Sequence, residues 1–455
     1  LTADNGRPVS INRLTQFHED PVIIAWWQAR LGTALTWCTP GRRRTALAIA
    51  AVVAGVIRPV REMGRADDLP VPSDWLGLAS LVLALFAILW LVYQAAAHFR
   101  SLPASVRRHP QISLHLLYWG GLALLWLTVP TAGAWRELLL GIAIIFPYLI
   151  WRCGYLLLSG QYGRAASTRF VDQLIPLWPA FGGSNTPYGK GLDYLSKCEA
   201  RSDEELARSQ LAGIKLVILG LLWDAAMTLM ERTFYGPENA IPRLDQLVAQ
   251  GGQAPFLASW ASLYCELVWQ VLRHAAHGHM IIGTLRLFGF NVFRNTYKPL
   301  LSESILEFWN RYYYYFKELM ANFFFLPTFT QLGTRLRNWP RLRLLAAVFA
   351  AAFVGNMYYH LLNMETLVAQ GYVFEAVYTL RSRFFYCFLL AIGIYVSMRR
   401  QQSRGGKPLA AGHLARIGRI FGVWTFFALI FIWNVRSSTP FLARVEFFLS
   451  LFGFA

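Results

Sequence analysis

The sequence predicts an all-α, polytopic integral membrane protein with about nine to eleven transmembrane helices, plus re-entrant or interfacial helices. Three observations carry this reading. Of the 455 residues, 55% are hydrophobic and only 15% charged, against roughly 25% charged in an average soluble domain. Apolar runs recur along the chain at about the 20 residues needed to cross a bilayer as a helix. The chain also carries 17 Trp, 20 Tyr and 32 Phe, ring types that favour the interfacial zones of a membrane.

Four segments follow from the hydropathy pattern. Residues 1–75 read as a cytoplasmic or interfacial segment, in which the apolar run Thr45 to Ile57 is short and fits a half-span or interfacial helix. Residues 76–158 hold the N-terminal spans, Leu76 to His98, Ile112 to Trp135 and Leu138 to Leu158. Residues 159–365 form a central unit with spans at Leu211 to Met230, Pro255 to Leu272 and Leu342 to Leu362. Within it, residues 159–210 are polar, and PLWPAFGGSNTPYGKG is too rich in breakers for a membrane helix. Such backbone survives at membrane depth only where protein or a water-filled cavity satisfies it, so a re-entrant or surface loop is expected. Residues 273–341 are aromatic but too polar for simple spans. Residues 366–455 supply the C-terminal spans Phe374 to Met398 and Ile417 to Trp433, with a short apolar piece from Phe441 to Ala455.

The formal charge is +18, yet the basic residues sit in short clusters between apolar runs. These are Arg42 to Arg44, Arg58 to Arg65, Arg100 to His109, Arg335 to Arg343 and Arg399 to Lys407. That is the positive-inside pattern of short cytoplasmic loops. No basic stripe lies on a soluble segment, which excludes a nucleic-acid partner. The five cysteines have no CxxC spacing and indicate neither a disulfide framework nor a zinc site. The chain begins at Leu1, and its first forty residues lack the apolar core of a signal peptide. No internal repeat is apparent, which disfavours a transporter built from inverted repeats. Neither a GxSxG nucleophile elbow nor a P-loop occurs.

One ionisable residue stands inside an apolar span. His360 lies in LLAAVFAAAFVGNMYYHLLNM, 17 residues after the basic segment ending at Arg343, or roughly 25 Å along a helix. Two readings are open. A histidine in a span faces a cavity or partner and is a functional candidate, and its neutral imidazole suits general-base work at neutral pH. Alternatively, it is a core histidine bonded to a neighbouring helix.

A set of motifs joins this residue to a family. The run GTLRLFGF (Gly283 to Phe290) is followed by Asn295, KPLLSESILEFWNR (Lys298 to Arg311) and Leu326-Pro327. Upstream lie PAFGGSNTPYGKGLDYL (Pro179 to Leu195) and GIKLVILGLLWD (Gly213 to Asp224). In order and spacing, over roughly residues 150 to 365, the chain resembles the membrane-bound O-acyltransferase family, in its bacterial polymer-acylating branch. The resemblance implies helices around a central tunnel and a multi-pass location in the bacterial inner membrane. It implies transfer of an acyl group from a thioester donor, acyl-CoA or an acyl carrier protein, to a hydroxyl of a cell-surface polysaccharide or glycan. A lipid acceptor is the alternative. No cofactor beyond the acyl donor is implied, and companion proteins of a surface-polymer modification complex are expected partners beside the lipid bilayer. His360 matches the family's near-invariant histidine and would deprotonate the acceptor hydroxyl.

The chain departs from that branch at two places. Where relatives carry a second histidine, four residues after the FW tryptophan, this chain has Tyr313, which retains a hydroxyl donor. Asn310 is a second candidate to orient substrate or stabilise an oxyanion. On one continuous helix Asn310, Tyr313, Tyr314 and Lys317 share a face, and with Trp309 and Arg311 they are expected to line a substrate tunnel. A tyrosine-rich interfacial belt is the other reading of Tyr314 and Tyr315. In place of an acidic phrase stands RHAAHGHM, Arg273 to Met280. His274 and His277 share a helix face as metal ligands do, but His279 points away. A polar patch near the membrane surface, or a contact for an anionic donor, is the expected role. Lys298, Arg286 and His279 are accordingly the expected donor contacts. The departures also leave open a non-catalytic scaffold or acyl-group channel in a secretion or modification complex.

Overall fold

The computed structural model describes residues 16–454 except 67, 129–132, 252, 254, 406–411 and 435–438. The first 15 residues of the predicted N-terminal segment, residues 129–132 of the predicted second span and Lys407 of a basic cluster therefore lie outside the described residues. Among the described residues every regular element is a helix, and the only β pairings are two isolated bridges, Glu199 with Phe290 and Tyr235 with Ile241.

The N-terminal half contains α1 (Pro21–Trp37), α2 (Pro40–Met63), α3 (Trp75–Ala97), α4 (Pro110–Thr128), α5 (Ala134–Gln161) and α6 (Phe170–Leu177). The centre contains α7 (Asp203–Thr233), α8 (Phe256–Leu287), α9 (Ile305–Tyr312) and α10 (Tyr314–Met320). After these come α11 (Pro340–Leu362), α12 (Arg381–Ser403), α13 (His413–Phe431) and α14 (Phe441–Ser450). Local chemistry sets several starts. The Asp74 side chain accepts from the Gly77 N–H at 2.6 Å to open α3. Ser202 caps α7 at 3.2 Å and Ser304 caps α9 at 3.1 Å, each satisfying an N–H that a helix start leaves without a partner. Three carboxylates in the first turn of α7, Asp203, Glu204 and Glu205, oppose the positive end of its dipole.

Among the described residues six helices, α3, α5, α7, α11, α12 and α13, are long and apolar enough to cross a membrane. That is fewer than expected, because α2, α4 and α8 reach the length but interrupt their apolar runs. Arg42 to Arg44 and Arg58 to Arg61 bound α2, His115 and Gln111 lie in α4, and Glu266, Arg273 and three histidines lie in α8. The run Thr45 to Ile57 is the middle of the 24-residue α2 rather than a half-span. Pro40 at its first turn starts it further upstream. The span expected from Phe374 begins only at Arg381, since Val373–Thr379 forms a separate short helix.

Two large clusters of buried side chains divide the molecule. One joins α3 to α6 with α10 and part of α11, and the other joins α8, α9, α12, α13 and α14. Trp309 and Tyr313 pack against both, so the α9–α10 junction is the seam. α7 and α8 pack along much of their length. Their approach depends on Gly213, where an added Cβ would lie 2.8 Å from the Gly283 carbonyl oxygen and 2.9 Å from the Leu287 nitrogen. Gly213→Val should therefore cost about 1–3 kcal/mol by overpacking. Gly120→Val in α4, where nothing lies within 4 Å, should change the thermal midpoint of detergent-solubilised protein little. A Gly213→Val midpoint equal to wild type would show that the two helices can separate freely.

Two π-type turns face each other, Ala321–Phe325 after α10 and Ala350–Gly355 inside α11. Gly355 meets Phe324 there, and a Cβ would lie 2.6 Å from its ring. The irregular stretch from Trp178 to Gly191 is buried, with Trp178, Phe181, Thr186 and Tyr188 withdrawn from the surface. Guanidinium groups satisfy its backbone. Arg152 donates to the Ser184 and Thr186 carbonyls at 2.7 and 3.3 Å, and Arg58 donates to Gly183 at 3.3 Å.

Candidate active site

α9 stops at Tyr312 and α10 starts at Tyr314, because Tyr313 adopts an extended backbone, φ −142° and ψ 76°. Nothing in RYYYYFKE signals a break; the segment 295–297 supplies it. Tyr297 N–H donates to the Arg311 carbonyl at 2.8 Å, the Thr296 hydroxyl to the Tyr312 carbonyl at 3.0 Å, and Tyr314 N–H to the Asn295 carbonyl at 2.9 Å. These bonds satisfy the backbone groups that the interruption frees. Asn295, a residue of the motif, is thus a structural pin, buried and also accepting from Tyr315 N–H at 3.4 Å.

The break turns Tyr313 into a cavity of about 530 Å³ lined mainly by α8, α9, α11 and α12. His360, Trp309 and Tyr313 all line it, together with His274, Arg383, Asn356 and Tyr359. Tyr313 donates its hydroxyl to the Thr186 hydroxyl at 2.9 Å, and Thr186 lies 2.9 Å from the Tyr359 hydroxyl. The irregular loop therefore forms one edge of the site, a hydroxyl cluster further tied by the Asn185–Asn363 side-chain bond.

Two imidazoles in this cavity are held with opposite polarity. Arg383 Nη1 lies 3.1 Å from His360 Nδ1. A guanidinium can only donate, so this Nδ1 is an acceptor and the neutral ring carries its proton on Nε2. In His274, Nδ1 lies 2.9 Å from the Gln270 carbonyl oxygen and 3.0 Å from the Tyr312 hydroxyl. A carbonyl can only accept, so this Nδ1 is the donor and Nε2 keeps its lone pair. Rings of Tyr312 and Tyr313, at 4.9 and 5.3 Å from its centroid, fix the His274 plane. One turn before His360, Asn356 is buried with its Oδ1 unbonded. An orphaned buried acceptor carries a desolvation cost that a ligand donor would relieve.

The other predicted residues lie elsewhere. Asn310 is exposed and does not line the cavity, because the break at Tyr313 destroys the continuous face it was expected to share. Arg311 pairs with Glu307 at 2.6 Å and lies over Tyr297. Tyr314 and Lys317 face the opposite side of the junction, beside Lys190 and Glu318. Burial alone would raise the Glu318 pKa, but the Lys190 and Lys317 ammonium groups, each 2.5 Å away, hold its carboxyl below the ordinary value. Lys298 and His279 line a separate cavity across α8, and Arg286 lines a smaller one adjoining it. Among the described residues no group of three His, Cys, Asp or Glu side chains is arranged to hold a metal ion.

Arg383, Asn356 and Thr186 are site residues that the sequence reading did not single out, and His274, weighed there as a metal ligand or part of a surface patch, lies with them. Two had a signal. Arg383 is an ionisable residue inside a predicted span, and Asn356 precedes His360 by four residues, the spacing of one helix face. No protein-family model matches the chain, and no curated protein sequence matches it.

Proposed function

We propose that the chain is a multi-pass membrane enzyme of the membrane-bound O-acyltransferase kind, transferring an acyl group from a thioester donor to a hydroxyl acceptor. The observation that carries this reading is the pair of oppositely polarised imidazoles in one buried polar cavity. Six apolar helices and exposed apolar side chains such as Leu83, Leu117 and Leu127 support the membrane setting. Placement in a bacterial inner membrane, and a surface glycan as acceptor, rest on the motif resemblance.

The polarity of the two rings supports a division of labour. His274 Nε2 takes the proton of the acceptor hydroxyl as its oxygen attacks the thioester carbonyl. The developing oxyanion accepts a hydrogen bond from His360 Nε2–H, with the Arg383 charge behind the ring strengthening that donor. The intermediate collapses with cleavage of the C–S bond, and the departing sulfur recovers the proton from His274. Asn356 Oδ1 accepts from another hydroxyl of the acceptor and orients it, a role that favours a polyhydroxylated substrate.

The test is acyl transfer by purified protein from labelled acyl-CoA and acyl carrier protein to a membrane glycan extract, wild type beside His360→Ala. A loss of about 10²-fold or more is expected. Equal activity in both would remove His360 from the mechanism. No transfer by either protein with any donor would leave the chain a non-catalytic scaffold or acyl-group channel.

A further inference from the structure

Across α8 from the histidine cavity lies a second one, of about 590 Å³, whose lining combines cationic and hydrocarbon side chains. The cations are Lys215, Arg294 and Lys298. An adjoining cavity of about 240 Å³ shares His18, Glu19 and Arg294 with it and adds Arg208 and Arg286. Among the described residues Glu19 is the sole carboxylate lining either cavity, and it lies 3.6 Å from His18. Arg208 is paired with Glu204 at 2.8 Å, and Arg286 donates to the Val292 carbonyl at 2.7 and 3.1 Å. Arg294 and Lys298 form no ion pair among the described residues; Arg294 rests on the Tyr297 ring at 4.6 Å. Lys298 also holds a left-handed backbone, φ 49°, a conformation that costs a side-chain-bearing residue energy.

The positive field leaves a mark on a neutral neighbour. His18, with Nδ1 buried and unbonded, is pushed down to about 4 by burial, and Lys215, Arg286 and Arg294 add to that effect against Glu19.

The hydrocarbon part is Leu219, Trp223, Val271, Leu272 and Ala275, with Leu219 and Trp223 following Lys215 by about one and two turns on the same face of α7. The outer face of α7 beside it exposes Ile218, Leu221 and Leu222. A soluble anion would leave this apolar part unused, whereas an anionic head on a hydrocarbon chain uses both.

We infer that this cavity binds the phosphate of a membrane lipid, its phosphate against Arg294, Lys298 and Lys215 and its chain along Leu219, Trp223 and Leu272. This reassigns Lys298, Arg286 and His279 from contacts for the acyl donor to the surroundings of a lipid phosphate. The inference does not depend on acyl transfer, since its readout is binding.

The experiment is lipid binding by the full chain in detergent micelles, read by native mass spectrometry with phosphatidic acid, phosphatidylglycerol and phosphatidylcholine. Wild type should retain the two anionic lipids at least about tenfold better than phosphatidylcholine, the preference that charge contacts of this number can supply. R294Q/K298Q, which breaks no ion pair among the described residues, should lose that preference. Leu272→Trp, which fills the apolar part, should weaken lipid binding while leaving any weak binding of inorganic phosphate unchanged. Inorganic phosphate competing as well as phosphatidic acid would replace the lipid by a soluble phosphate compound. An unchanged lipid preference in R294Q/K298Q, with both proteins eluting as one sharp size-exclusion peak, would overturn the site.

Discussion

His274→Gln should lower acyl transfer by about 10²- to 10⁴-fold, the range for loss of a general base, and as severely as His274→Ala. His360→Gln should keep part of the activity that His360→Ala loses. Glutamine presents an N–H donor but no base at neutral pH, so it replaces an oxyanion donor and fails as a proton acceptor. Removing an oxyanion donor outright costs about 10²- to 10³-fold. Initial rates at saturating thioester, with all four proteins matched for size-exclusion profile, decide the matter. Equal loss in His360→Gln and His360→Ala, with His274→Gln near wild type, would make His360 the base and His274 a packing residue of the cavity wall.

Arg152→Leu should cost about 3 kcal/mol or more of stability and abolish activity with it. The Arg152 side chain is buried, stacks on Tyr148 at 4.0 Å and donates to the carbonyls of Tyr148, Ser184 and Thr186. Hydrogen bonds from a charged donor contribute about 1.5–3 kcal/mol each, and leucine removes all three. The Thr186 carbonyl keeps the Tyr188 N–H at 3.0 Å and the Tyr148 carbonyl its place in the helix, while the Ser184 carbonyl loses its guanidinium partner. Thr186 would also lose its position, and with it the bond to Tyr313. Arg152→Lys keeps the charge but not the fork that spans separate carbonyls, so partial recovery is expected. Thermal unfolding in detergent followed by size exclusion measures both; a wild-type midpoint in Arg152→Leu would show that water takes over the loop carbonyls.

The apolar spans are legible because mean hydropathy over about 20 residues reports helix length directly. Where charged or polar residues interrupt the run, as in α2 and α8, hydropathy misjudges the element while the helix itself continues. His360 is legible for the same reason, as a titratable group in an otherwise apolar helix. The Tyr313 break is not. Its cause is the segment 295–297, which bonds to the carbonyls of Arg311 and Tyr312 and the N–H of Tyr314. A tertiary contact of this kind leaves no Gly or Pro in the broken helix. His274 was hidden differently: its surroundings read as a membrane-surface patch, because only the packing of α8 against α9 carries its ring onto Tyr312 and Tyr313.

The π-type turn at Ala350–Gly355 has a bearing on how this site tolerates insertions and deletions. Such a turn is an α-helix holding one residue more than its pitch accommodates. Each residue subtends about 100° of the helix circumference. A chain one residue shorter within that turn would relax to a regular helix, with the same ends and the same apolar content. His360 and Asn356 would keep their heading toward Arg383, because the wide turn absorbs the extra residue locally and passes no rotation to the helix beyond it. The heading of His360 is thus insulated from a residue lost within the wide turn, whereas one lost from the regular α-helical part of α11 ahead of it would swing the ring by about 100°.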